Sequence, residues 1–501
     1  PPPPPPPPPP LQAEDGIRDA LVGLVGSEMC IRDRRHSFSG KITVHWSTSS
    51  AVVFRPDGKS YYFFRSAGVW TPDADIKGRL EQLIDTAGVF TGWKFTTADD
   101  VAETYNRDGQ LVLVEYRSGL TLALAYTNTL LTSVQSNTGE TLIFSYDINS
   151  RLRALTAPDN RTWRYNFSAT GLLGSIDNPD GTTRQYHYNE QSLTAATDLA
   201  AALTGITDER GIRYASFGYD AQGRAVMSTH AGGAQQVTIN YDPDPGIYPA
   251  GTRIVTNARG HASVYSTALR QGVRLVTGMA GPGCANCGAG DVTYEYDPEN
   301  NNLLSKTEYG VTTEYGDYDD RGNPGYRIEA SGTTEERRTE YTYDPRFASR
   351  VLSMTEPSVY MGGSKVTSYR YDDFGNRISA TVNGFTPSGG AIVRSTSWQF
   401  NGPLNQLTVI DGPRTDVSDI TQFRYYANDA SEGSNRARLR EIEDATGTLI
   451  RSNVEYTDTG KIAAETRLNG VTISYHYYAG SDRLEMLTES SAAGTRSTRW
   501  T

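Results

Sequence analysis

The sequence is poor in the residue types that build redox and metal centres. It contains three cysteines and six histidines among 501 residues, and the histidines are scattered along the chain. It also lacks a Gly-x-Ser-x-Gly elbow, a His-Glu-x-x-His pair, a phosphate-binding loop and a dinucleotide fingerprint. We therefore predict no catalytic residue, no cofactor and no metal ion, and we expect that the chain is not an enzyme.

Basic runs and long hydrophobic runs are missing as well. The formal charge is −11 and the isoelectric point is about 5.2. Such a chain is not expected to bind nucleic acid or an anionic membrane surface as its main partner. No window reaches the roughly 18 consecutive apolar residues of a membrane helix, so we predict no transmembrane segment.

Residues 1–34 do not resemble the rest of the chain. Pro1–Pro10 is a homopolymer, and Glu14–Asp19 is echoed by Glu28–Asp33. A back-translation of the second copy resembles the transposon end that sequencing adapters carry. We interpret the segment, including Cys30, as a disordered sequencing-adapter artefact rather than a polyproline tail, and we exclude it from the fold. The true N-terminus is then missing, and no export signal can be observed.

From about residue 104 onward one formula repeats, and Tyr369–Ile378 shows it most clearly. Two aromatic residues at i and i+2 point to one face of a strand, an Asp opens a turn, and a Gly permits positive φ inside it. Copies recur with a base period near 20 residues, which indicates a repeat architecture. The repeat-signature residues are Tyr146, Asp147, Tyr219, Asp220, Gly223, Tyr296, Asp297, Tyr318, Asp319, Gly322, Tyr343, Asp344, Tyr371, Asp372 and Gly375.

Each repeat has room for one hairpin, so the sequence predicts an all-β fold in which hairpins line up as an antiparallel meander. We expect 35–103 to be an N-terminal β-rich part and 104–501 to be the repeat body. Arg79–Ile84 is predicted to be a strand rather than a short helix. An irregular insertion is expected near 242–292, because the prolines between 243 and 249 cannot lie in a central strand and 278–290 is rich in glycine.

The signature resembles the YD repeats of the RHS (rearrangement hotspot) family of bacterial proteins, over roughly Lys41–Thr501. The resemblance implies a β-sheet that winds spirally into a hollow shell. It also implies a secreted or surface-displayed protein whose shell encloses a toxic C-terminal polypeptide cargo. The chain stops at Arg499–Thr501 within repeat-like sequence, so we expect a truncated shell fragment that lacks the cargo. No position matches the autoproteolytic aspartate pair of related proteins.

Three features leave alternatives open. The Tyr-x-Tyr pairs, such as those at Tyr294 and Tyr341, are expected to pack within the sheet, and the alternative is stacking on glycans of a surface adhesin. The signature Asp is expected to form an Asx turn, and the alternative is a calcium ligand. Cys284 and Cys287 are expected to form a local disulfide or a paired-thiol loop, and half of a metal site is the weak alternative.

Overall fold

The computed structural model describes residues 36–73, 76–241, 243, 251–281 and 291–500. Their regular structure consists of 39 antiparallel strands and four short 3-10 helices, which confirms the predicted all-β fold. Arg79–Ile84 is a strand, as expected. Cys284 and Cys287 lie outside the described residues.

The strands form two sheets. The small sheet consists of β1 (Lys41–His45), β2 (Ser50–Phe54), β3 (Ser60–Ser66) and β4 (Val69–Pro72). The large sheet contains, in chain order, β5 (Arg79–Ile84), β6 (Phe90–Thr96), β7 (Ala102–Asn106), β8 (Leu111–Glu115), β9 (Thr121–Thr127), β10 (Leu130–Ser136), β11 (Thr141–Tyr146), β12 (Leu152–Thr156), β13 (Thr162–Phe167), β14 (Leu173–Asp177), β15 (Thr183–Tyr188), β16 (Leu203–Thr207), β17 (Arg213–Tyr219), β18 (Ala225–His230), β19 (Val237–Asn240), β20 (Thr252–Thr256), β21 (Ala262–Arg270), β22 (Val273–Ala280), β23 (Val292–Tyr296), β24 (Leu303–Glu308), β25 (Val311–Gly316), β26 (Tyr326–Glu329), β27 (Arg337–Tyr343), β28 (Val351–Pro357), β29 (Ser364–Tyr371), β30 (Arg377–Phe385), β31 (Ala391–Phe400), β32 (Leu407–Asp411), β33 (Ile420–Tyr425), β34 (Leu439–Glu443), β35 (Leu449–Tyr456), β36 (Ile462–Arg467), β37 (Thr472–Tyr477), β38 (Leu484–Ser491) and β39 (Gly494–Arg499). The 3-10 helices are Trp46–Thr48, Gln191–Leu193, Ala231–Gly233 and Ala430–Asn435.

Every strand of the large sheet pairs with the next one along the chain. Successive side chains of a strand point to opposite sides, so the sheet has two distinct faces. We call the side that carries the signature tyrosines the tyrosine face, and the other side the polar face. In β27, Tyr341 and Tyr343 are half-buried on the tyrosine face, whereas Glu340 and Thr342 are exposed on the polar face. The tyrosine face is therefore the more enclosed of the two.

The small sheet packs on the tyrosine face of the first strands of the large sheet. The rings of Trp70 and Trp93 lie 5.3 Å apart, and this cluster of buried side chains extends from β1 to β11. Arg55, which follows β2, donates a 2.9 Å hydrogen bond to Glu103 of β7, and Tyr105 donates to the same carboxylate at 2.6 Å. A charged contact thus fastens the small sheet at the edge of an apolar interface.

The large sheet winds until it meets itself, along a line that we call the seam. The seam joins the segment before β5 and the turns after β6, β8, β10 and β12 to turns that follow odd-numbered strands between β25 and β37. Its contacts are Lys77 to the Gly322 carbonyl, Asp100 to the Ala348 N–H, Arg117 to the Phe374 and Gly375 carbonyls, Glu140 to Arg438, and Arg161 to Asp482. The partners lie 245 to 321 residues apart in the chain, so the winding is set by long-range contacts.

Strand numbers along the seam give the size of one revolution. The turn after β6 meets the turn after β27, 21 strands later, and the turn after β12 meets the turn after β37, 25 strands later. With strands about 4.8 Å apart, one revolution is roughly 100–120 Å around and about 35 Å across. The sheet therefore completes about one and a half revolutions, which agrees with the expected spirally wound shell.

The expected boundaries at 103 and near 242–292 stay predictions, and the structure describes strands on either side of them. The small sheet ends at Pro72, and no break in the large sheet falls at 103, because β7 runs through that position. Within 242–292 the described residues contain three strands, β20 to β22, whereas 244–250 and 282–290, on which the expected insertion mainly rests, lie outside the described residues. The hairpin between β21 and β22 turns through Gln271 and Gly272, both at positive φ, and such a two-residue turn carries no repeat signature.

Candidate functional site

The signature turn has the same hydrogen-bond pattern at Asp147, Asp220, Asp319 and Asp372, whereas the loops at Asp297 and Asp344 are longer. At the repeat of Tyr219, the Asp220 N–H donates to the Arg224 carbonyl and the Gly223 N–H donates to the Asp220 carbonyl, both at 2.9 Å. Gly223 has φ of +78°, a conformation that glycine adopts without strain. The pairing register shifts between Gly218 and Tyr219. This irregularity keeps the tyrosine side chain on the same face of the sheet as the tyrosines of the neighbouring repeats.

The aspartate of the signature holds this loop closed. Asp220 Oδ1 accepts from the N–H groups of Gln222 and Arg224 at 3.0 and 2.9 Å, and Oδ2 accepts from Arg224 Nε at 2.7 Å. The other signature aspartates also accept from the N–H two residues on, namely Asp147, Asp297, Asp319, Asp344 and Asp372. This is the geometry of an Asx turn. Among the described residues, no group of three or more acidic, histidine or cysteine side chains is placed to hold a metal ion.

The signature tyrosines link each repeat to the preceding one. Each hydroxyl donates to a backbone carbonyl at or near the start of the strand that follows the preceding turn, at 2.5 to 3.0 Å. These bonds join Tyr126 to Leu111, Tyr146 to Leu131, Tyr188 to Leu173, Tyr219 to Leu203, Tyr241 to Ala225, Tyr296 to Val276, Tyr318 to Leu303, Tyr343 to Pro324, Tyr371 to Val351, Tyr425 to Leu407, Tyr456 to Leu439 and Tyr477 to Ile462. We call this set the tyrosine ladder.

Burial perturbs the ionisation of the ladder. Desolvation, together with nearby tyrosines, raises the pKa of Tyr126, Tyr318 and Tyr343 to about 12. Because the shift favours the neutral phenol, the hydroxyls remain donors throughout the physiological pH range.

Among the described residues, the tyrosine face is covered at one end of the sheet and is open beyond it. At the covered end, the segment before β1 lies against β11, where the His36 and Phe144 rings are 5.4 Å apart. In the described part of the chain, the fully buried side chains of this cluster end at β11, and partly buried Leu152 and Leu155 of β12 pack against them. From β12 onward the side chains of this face are mostly half-buried, as in β13 and β33. A long aromatic surface therefore remains available on a wound sheet.

The tyrosine face is also rich in cations, although the chain is acidic. By pairing register, twelve cationic strand residues lie on this face between β15 and β39: Arg184, Arg253, Arg274, Lys306, Arg327, Arg337, Lys365, Arg377, Arg394, Arg451, Arg467 and Arg496. Five acids share it: Glu308, Glu329, Glu356, Glu465 and Glu489. The face thus carries a surplus of seven positive charges in a chain of charge −11.

Most of these acids are neutralised on the face itself. Glu465 is fully buried and forms ion pairs with Arg451 and with Arg467, the latter at 2.6 Å, while Tyr475 donates to it at 3.0 Å. Burial alone pushes the pKa of Glu465 up, but the bonds from Arg467 and Tyr475 and the charge of Arg451 outweigh it and hold the pKa below its usual value. Glu356 is likewise paired with Arg337 and Lys365.

Sequence reasoning found the signature turns but missed the ladder, the seam and the charge surplus. One signal for the ladder was present, since tyrosine outnumbers phenylalanine by 31 to 14 and a buried phenol usually has a hydrogen-bond partner. The charge surplus could have been found by assigning each charged residue to a face from its spacing to the signature tyrosine. The seam has no local signal.

Comparisons with known proteins give weak matches only. The chain resembles a TcdB2–TccC3 crystal structure and a Tc holotoxin pore of Photorhabdus luminescens, both at 12% identity over 90% of this chain, with TM-scores of 0.34 and 0.35. It spans about 30% of the length of these structures. A porin-like protein from Bacteroides uniformis matches 55% of this chain and 94% of its own length at 11% identity, with a TM-score of 0.20. No protein-family model and no curated protein matches. The described residues contain no helix of the length and apolarity that crossing a membrane requires.

Proposed function

We propose that this chain is a fragment of the wall of a shell that encloses a polypeptide cargo, in a secreted or surface-displayed bacterial protein of the toxin-delivery type. The wall performs no chemistry of its own. Its role is to exclude the surroundings from the cargo and to hold the cargo against an aromatic lining.

The observation that carries this proposal is the open tyrosine face on a sheet that winds back onto itself. A soluble protein rarely leaves a long aromatic surface without a covering layer. Here the covered end shows what such a layer is made of, because the segment containing His36 and Phe38 and then the small sheet lie on this face. We propose that the tyrosine face lines the interior and that cargo takes the corresponding place from β12 onward.

Small-angle X-ray scattering of the full chain tests the shell. A compact solid protein of this length has a radius of gyration of about 23 Å. A hollow wall gives a larger value and a pair-distance distribution whose maximum is shifted to longer distances. A radius near 23 Å with the symmetric distribution of a solid sphere would contradict the proposal.

Glycan binding by an adhesin stays the alternative prediction. Tyr294 stacks on Tyr296 at 6.3 Å, and Tyr341 lies 6.4 Å from Tyr343, so these rings already contact a neighbour. The adhesin would be favoured if the wild-type protein binds to a glycan array and Tyr341→Ala does not, while the circular dichroism spectrum of the variant is unchanged.

A further inference from the structure

We infer that the tyrosine face binds acidic stretches of an extended polypeptide, with Arg377 and Arg394 as the centre of the site. This inference rests on the proposed function and adds the chemical class of the cargo segment that contacts the wall. The site lies on β29 to β31, the run of long strands in the second revolution of the sheet.

Arg377 is held in place by aromatic rings. Its guanidinium lies 4.6 Å from the ring centroid of Trp398 and 5.6 Å from that of Tyr369. Stacking on rings fixes the plane of a guanidinium and leaves its N–H groups at the edge free to donate. The side chain is exposed, so these donors face the open space over the sheet.

Arg377 differs from Arg151 and Arg224, which also stack on rings, in having no anion beside it. Arg151 stacks on Phe167 and pairs with Asp147, and Arg224 stacks on Tyr241 and pairs with Asp220. Within the described part of the chain, no carboxylate lies within ion-pair distance of Arg377. Among the described residues, stacked arginines in this fold therefore occur with an ion pair, as at Arg151, and without one, as at Arg377 and at Arg483 over Tyr478.

Arg394 supplies a second exposed guanidinium on the same face. It lies four residues before Trp398 on β31, and it pairs with Val382 across the sheet, so its side chain shares the tyrosine face with Arg377. The described residues place no carboxylate within ion-pair distance of it either. Four residues along a strand span about 13 Å, so Arg394 and the guanidinium beside Trp398 suit carboxylates about four residues apart in an extended chain.

The ligand class follows from these contacts. Guanidinium groups recognise carboxylates through paired N–H donors, and the rings of Tyr369 and Trp398 offer apolar area to the backbone and to neighbouring side chains. A folded nucleic acid is not favoured, because the chain as a whole is acidic. An extended polypeptide rich in Asp or Glu fits both the charge and the strand-like spacing.

Fluorescence anisotropy with labelled peptides tests the inference on the full chain. The probes are three unstructured peptides of equal length with a Glu-Ser-Gly-Ser, a Gln-Ser-Gly-Ser or a Lys-Ser-Gly-Ser repeat. We expect the glutamate peptide to bind at least about tenfold more tightly than the lysine peptide at low salt, and this preference to shrink as salt screens the charges.

Matched variants locate the site. Arg377→Gln and Arg394→Gln are each expected to weaken binding of the glutamate peptide by about threefold to fivefold. Arg370→Gln removes an exposed arginine from the polar face of the adjoining strand, and it is expected to leave binding within about twofold of the wild type.

The outcomes separate this inference from the proposed function. Equal binding of all three peptides would overturn the acidic preference but leave a polypeptide-lining wall intact. If Arg370→Gln and Arg394→Gln weaken binding of the glutamate peptide equally, net charge alone attracts the peptide, and the proposed site is wrong. A compact solid particle in X-ray scattering would refute the shell whatever the peptides do.

Discussion

Removing a single ladder hydroxyl provides a sharp test of how the repeats are held together. Tyr371 donates a 2.8 Å hydrogen bond to the Val351 carbonyl, and Tyr371→Phe removes that bond without creating a cavity. A hydrogen bond of this kind contributes about 1 kcal/mol net. The free energy of local opening around β28 and β29 should fall by that amount, so their amides should exchange with solvent about fivefold faster.

Tyr369 is the matched control, because it lies two residues earlier on the same strand and the same face. Among the described residues its hydroxyl has no hydrogen-bond partner, so Tyr369→Phe should leave the exchange rates of β28 and β29 nearly unchanged. Hydrogen exchange followed by mass spectrometry resolves the two strands. Equal effects of the two substitutions would refute the ladder, since they would show that only ring packing matters.

Three further predictions concern the pH response, the docking of the small sheet and a buried charge. Burial raises the pKa of Tyr318 and Tyr343 to about 12, above the value of about 10 in an unfolded chain. Their contribution to stability is therefore complete below pH 10 and is lost as the pH rises to about 12. Tyrosinate absorbance that is complete at pH 10 in a folded protein would contradict this prediction. Gly109→Ala places a Cβ 1.9 Å from a carbonyl of β1 and should release the small sheet to limited proteolysis, whereas Gly260→Ala, at a similar positive φ with nothing within 4 Å, should not. Glu465→Gln leaves two arginines without their carboxylate and should lower the free energy of unfolding in urea by about 3 kcal/mol, and a loss no larger than that of Glu489→Gln would contradict the role of the buried pair.

The sequence was sufficient wherever the determining contacts are local. The turn at Asp220 closes through its own four residues, so an Asp followed by a Gly at fixed spacing predicts it. The alternation of Tyr341, Thr342 and Tyr343 predicts the two faces of the strand in the same way. These two local rules, repeated along the chain, were enough to predict the meander.

The features that sequence reasoning missed depend on long-range contacts or on an absent signature. The seam joins Glu140 to Arg438, and no local pattern links residues that lie so far apart in the chain. The irregular insertion near 242–292 was expected from its prolines and glycines, and β20 to β22 were not predicted because the hairpin at Gln271 and Gly272 turns in two residues and carries neither the tyrosine nor the aspartate of the signature.

The most direct test of the wound sheet is a disulfide across the seam. A Cβ built on Gly119 lies 3.5 Å from the Cβ of Asn405, which is within the usual range for a disulfide. In a background in which the three cysteines of the chain are replaced by serine, Gly119→Cys with Asn405→Cys should form an intramolecular disulfide on mild oxidation, detected by peptide mass spectrometry. Gly119→Cys with Gly260→Cys should not, because a Cβ on Gly260 meets nothing within 4 Å. If the first pair stays reduced, or links only separate molecules, the sheet does not wind back onto itself and the account of the shell is wrong.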